Sequence, residues 1–165
     1  MRLHRTLLFL AAACVAAAAP AQQGAVLATP ERDGAAVFVA QGSYVVGRLG
    51  RECLDVIGRP ETPEKLVAAW RERNARFVDA SAKYLDLRLQ EAEATGGTAR
   101  RVSALAEIRA VVQANGENSL RTLMQGRKED ACMRVITLLD SGALDISSKL
   151  PQYDQLEALV RWAER

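Results

Sequence analysis

From Tyr44 to the C-terminus, apolar residues recur at three- and four-residue intervals, and no stretch alternates apolar with polar long enough to build a strand. That period places the apolar side chains of each segment on one face of a helix, so the chain has to bury helix against helix. The first stripe is Val45, Val46, Leu49, Cys53, Val56 and Ile57, ending at Gly58 with Pro60 beyond. Upstream, Ala35 to Ala40 is a short apolar run that suits either a strand or the first turns of a helix. Gly42, Gly47 and Gly50 weaken the first helix but permit a close neighbour. Their spacing is not a phosphate loop, because no Gly-Lys-Ser/Thr follows.

Thr62-Pro63-Glu64 is a helix start: a capping hydroxyl, a proline whose missing N–H costs nothing there, and an acid in the first turn. The pattern predicts one helix from Pro63 to about Ala94, roughly 45 Å long, stopped by Thr95-Gly96-Gly97. A third helix opens at Thr98 with Val102, Leu105, Ile108, Val111 and Val112 inward, closed by Asn115-Gly116. A fourth segment starts at Asn118, is broken by Gly126, and resumes over Lys128 to Ser141 with Gly142 as its cap. A last helix spans Leu150 to Glu164. The expected fold is an all-α, single-domain bundle of about four to five helices.

Before this bundle, Met1 to Ala21 reads as a cleavable export signal. Arg2, His4 and Arg5 precede a run of apolar and small residues, and Ala19-Pro20-Ala21 offers a cleavage site. The run is about 14 residues, too short to span a bilayer core comfortably. The alternative is a lipoprotein anchored at Cys14, although Ala11 stands where a leucine is usual. Residues 22–34, with Thr-Pro and Asp-Gly, read as a flexible linker, leaving 35–165 as the helical domain. The expected location is the periplasm or the exterior, with no transmembrane span after cleavage.

Composition matters once that segment is removed. The full chain carries 22 Lys+Arg against 20 Asp+Glu, three cysteines and one histidine. Cleavage takes away Arg2, Arg5, Cys14 and His4, so the charges balance, two cysteines remain and histidine is absent. A neutral chain is not built as a nucleic-acid binder. Without histidine, Ser-His and Cys-His dyads and imidazole metal ligands are excluded, and no CxxC motif offers a metal or haem site, so neither metal nor cofactor is expected. Cys53 and Cys132 sit on inward stripes of the first and fourth helices; in an oxidising compartment they read as one disulfide. Closing a loop of about 80 residues contributes roughly 4–5 kcal/mol in the chain-entropy model.

One surface stands out as a binding groove. Trp70, Phe77 and Tyr84 recur every seven residues, with Asn74, Ser81 and Arg88 on the adjacent line and Arg73 beside them. The competing reading makes the aromatics core, and makes Arg71, Arg73 and Arg76, interspersed with Glu72 and Asp79, a solvated face. The close carboxylate pairs, Asp140/Asp145 among them, read as surface or caps, so no catalytic residue is assigned. The expected role is that of a small exported helical binding protein. Its partner would be an envelope or secreted protein, as for an inhibitor or immunity-type module, or an apolar small molecule. The alternative is a His-independent enzyme using Arg and carboxylate groups in a bundle pocket.

Overall fold

A computed structural model describes residues 28–165. Residues 1–21, read as an export signal with an alternative lipid anchor at Cys14, and residues 22–27 of the segment read as linker lie outside the described residues. The described chain is all helix and loop, one domain of five helices: α1 (Pro30–Cys53), α2 (Pro63–Arg73), α3 (Ala75–Leu123), α4 (Lys128–Asp140) and α5 (Tyr153–Ala163).

The first helix begins inside the segment read as linker. Thr29 caps it by accepting the Arg32 amide at 3.3 Å, Pro30 occupies the first turn, and Glu31 and Asp33 face its positive end. Ala35 to Ala40 is thus helical, and Ala35, Ala36 and Val39 are buried. The α1 helix forms the centre of the domain and contacts all four others. Its glycines allow this: Gly50 meets the Cα of Pro63, to which an added methyl would come within 2.9 Å.

The long second helix foreseen from Pro63 is broken at Asn74, whose φ of −109° and ψ of 20° end α2 and start α3. Further on, Gly96 and Gly97 leave helical geometry, and Gly97 has a φ of +68° that favours glycine. There α3 doubles back. Its first arm runs antiparallel to α1, with Ser81 donating to the Ala36 carbonyl at 2.9 Å and Tyr84 to Asp33 at 2.8 Å. Its second arm runs parallel to α1, with Tyr44 donating to Glu117 midway along α1 and the Cys53 sulfur lying 3.9 Å from the Met124 sulfur at its end. The expected stop at Asn115-Gly116 is absent; Gly116 stays helical, and the Tyr44 ring packs where a side chain would stand.

The arm tips also differ from the expected stripe. No residue from 85 to 115 is buried, and Val102 and Val111 are 61% and 48% exposed. The tips around Gly96 and Gly97 lie beyond the Asp33–Tyr84 contact near the start of α1, whereas Val111 stands beside the first turns of α1 and lines open clefts with Val37. Elsewhere the stripes pack as the spacing predicts: Leu49, Cys53, Cys132, Val135, Leu139, Leu156 and Leu159 are at most 1% exposed. The chain after α4 turns through Gly142, where Ala143 N–H donates to the Leu138 carbonyl at 2.9 Å and φ is +73°.

Cys53 and Cys132 form the disulfide, with Cα atoms 5.0 Å apart and a separation of 79 positions in sequence. It joins the end of α1 to the first turn and a half of α4, and so fastens the two helices that flank the α2–α3 excursion.

Candidate functional site

The aromatic line of α2 and α3 is core. Trp70, Phe77 and Tyr84 are 3%, 5% and 0% exposed. Phe77 and Tyr84 meet α5 edge-on, through Tyr153 at 6.0 Å and Trp162 at 5.2 Å between ring centres. Burial pushes the Tyr84 phenol up to about 12, with the hydrogen bond to Asp33 adding to it. Ser81 is spent on the Ala36 carbonyl.

Asn74, also buried, is spent on the α4–α5 loop. Its Nδ2 donates to the Trp70 carbonyl at 2.8 Å and to Asp145 at 3.3 Å, and its Oδ1 accepts the Ile146 amide at 2.7 Å. Arg73 clasps Asp145 with two bonds of 2.7 and 3.1 Å and the Leu139 carbonyl with a third. The Asp145 hydrogen bond raises the Arg73 pKa above its ordinary value. Arg76 likewise reaches Glu157 at 2.7 Å, so Arg73 and Arg76 bridge to other elements instead of forming a freely solvated face. Arg88 is held between Glu91 at 2.5 Å and Asp33 at 3.3 Å, half-buried beside the α3 arms. Arg73 and Asn74 therefore do converge with a carboxylate, as does Arg88, but these groups satisfy one another.

The same construction opens a cleft on the other side of Trp70. The indole lies directly on α1 because Gly42 has no side chain there; a methyl at that position would stand 2.5 Å from the ring. Trp70 Nε1 donates to the Leu144 carbonyl at 3.1 Å, which fixes the ring and draws in the loop after α4. Between α1, the end of α3 and this loop lies a cleft of about 220 Å³. Its walls are Phe38, Val45, Val46, Trp70, Leu123, Leu144, Ile146 and Leu150. Its polar points are Asp145, whose carboxylate is paired with Arg73, and the Gln41–Ser119 pair, in which Gln41 Nε2 donates to Ser119 Oγ at 2.8 Å and leaves the Ser119 hydroxyl proton to give.

Of the seven groove residues read from the sequence, Trp70 borders this cleft; Arg88 borders a larger, charged one between the α3 arms. Phe38, Gln41, Ser119 and Leu150 are cleft residues that the periodic pattern did not single out. They come from separate segments of the chain, and no local spacing unites them. Among the described residues no cluster of His, Cys, Asp and Glu is arranged to hold a metal ion, and no helix is long and apolar enough to cross a membrane. Comparison with family models, curated proteins and solved structures finds no match to this chain.

Proposed function

We propose that this protein is an exported, disulfide-stapled helical binding module that holds a small, uncharged, mostly apolar molecule in the cleft beside Trp70. The cleft itself carries the reading: aliphatic and aromatic walls around about 220 Å³, with one hydroxyl placed to orient an acceptor. That volume suits a ligand the size of one substituted ring or a short acyl chain. Export is supported by the disulfide between Cys53 and Cys132 and by the signal-like pattern of residues 1–21.

Trp70 supplies the test. With Trp162 replaced by Phe, the remaining indole fluorescence reports on the cleft wall, and bromobenzene should quench it along a saturable curve. Ser119→Leu, which fills the cleft, should abolish the saturable component. Linear, collisional quenching in both proteins would sink the binding reading. Mass spectrometry of exported material should give an N-terminus at Gln22, whereas a lipid on Cys14 would make the protein membrane-anchored.

A further inference from the structure

The arginines of the helical core are almost all engaged. Arg48 pairs with Glu52 and Glu117, Arg59 with Glu61 and Asp140, Arg73 with Asp145, and Arg76 with Glu157. Arg51 and Arg71 are exceptions: neither makes a hydrogen bond or ion pair through its guanidinium among the described residues, and both line one cleft of about 330 Å³ between α1 and α2. This cleft is separate from the one beside Trp70 and shares no lining residue with it.

Its floor is formed by Gly47 and the Val67 side chain. Gly47 is buried at the base, and a methyl there would stand 3.4 Å from Val67 Cγ2 and 3.6 Å from Arg51 Nη1. The Arg51 guanidinium is thus folded over the floor of the cleft. Pro63, Val67 and Ala68 give an apolar wall, and Glu64 is the only acid at the rim against two guanidinium groups. The site does not depend on the start of α2, where Pro63 has no N–H and the Lys65 amide is taken by Thr62 at 3.4 Å.

We propose that Arg51 and Arg71 form a binding site for an oxyanion, phosphate or carboxylate, carried on a small apolar body that rests on Val67 and Ala68. Guanidiniums match the geometry of such oxygens and are weakly hydrated, so an anion displaces little from them. The ligand is either a free organic anion or the headgroup of an anionic lipid.

Titration of the purified protein at low salt with phenyl phosphate and with inorganic phosphate tests the free form. Co-sedimentation with phosphatidylglycerol vesicles, against phosphatidylcholine vesicles, tests the lipid form. Phenyl phosphate should bind more tightly than inorganic phosphate, and the Arg51→Ala/Arg71→Ala double variant should weaken it by about tenfold or more. Arg109→Ala, which removes an exposed arginine of α3 outside the cleft, should leave binding unchanged. Vesicle binding that needs Arg51 and Arg71, without phenyl phosphate binding, assigns the oxyanion to a lipid. Absence of both, or equal loss in the Arg109 variant, overturns the site.

Discussion

Asn74 Oδ1 accepts the backbone amide of Ile146 at 2.7 Å, across 72 residues of chain. The same side chain donates back to the Trp70 carbonyl, so one amide ends α2 and ties down the loop that walls the apolar cleft. A buried amide with both ends paired is costly to remove, because its partners are left without replacements. Asn74→Ala should lower stability by about 2–3 kcal/mol in urea titration. Asn74→Asp, which keeps the acceptor but loses the donor and sets a carboxylate beside Asp145, should be no better. A variant within experimental error of the parent would show that Arg73 and Trp70 hold the loop without it.

Cross-linking Cys53 to Cys132 constrains a long loop of the unfolded chain, and both residues are fully buried. Cys53→Ala/Cys132→Ala should lose up to about 4–5 kcal/mol. Reductant should shift the guanidinium midpoint of the parent towards that of the double variant and leave the variant unmoved. Two free thiols in denatured, unreduced protein would contradict the bridge.

Two glycines of α1 should respond to alanine with opposite signs. A methyl added at Gly34 would meet nothing within 4 Å, so Gly34→Ala gains helix propensity and should stabilise by up to about 1 kcal/mol. Gly42→Ala drives a methyl against the Trp70 ring and should destabilise the fold. Thermal melting of the pair reads the difference, and indole fluorescence should change only in the second.

Without buried residues from 85 to 115, the tips of the α3 arms have little tertiary packing to protect their amides. Hydrogen exchange there should be faster than in α1 or α4, with the fastest sites around Gly96 and Gly97. Protection at the tips equal to that of α1 would point to a covering partner.

The raised Tyr84 pKa makes stability fall in alkali. The unfolded phenol ionises near 10, while the folded one holds its proton to about 12, so the folded state binds more protons between those values. The associated stability is present in full below about pH 10 and declines above it, by about 1 kcal/mol at pH 11. Urea midpoints measured from pH 9 to 11 should show this decline, and Tyr84→Phe should reduce it.

Much of the helical pattern was legible because its signals are local. Thr62-Pro63-Glu64, Gly96-Gly97 and Gly142 act within a few residues, and each marks a boundary in the structure. Thr29-Pro30-Glu31 is the same kind of start, but the Asp33-Gly34 pair just beyond it resembles a turn and obscured it. The stripe through Val102 and Val111 has helical spacing without the burial that such spacing usually implies, since period identifies a face and not what covers it. The candidate groove was legible as an aromatic line but not as a closed core, because α5 and the α4–α5 loop, which seal it, come from the far end of the chain.

Period, residue type and count are local or additive properties, and they were enough for the all-helical fold of the described residues and for the pairing of Cys53 with Cys132. Where the long helix breaks, which arginines are neutralised and where empty space remains were settled only by the packing of the folded chain. Those depend on which distant atoms meet: Ile146 against Asn74, Asp145 against Arg73, and the Trp70 ring against the bare backbone of Gly42. A cleft is what packing leaves unfilled, and no spacing along the chain records that.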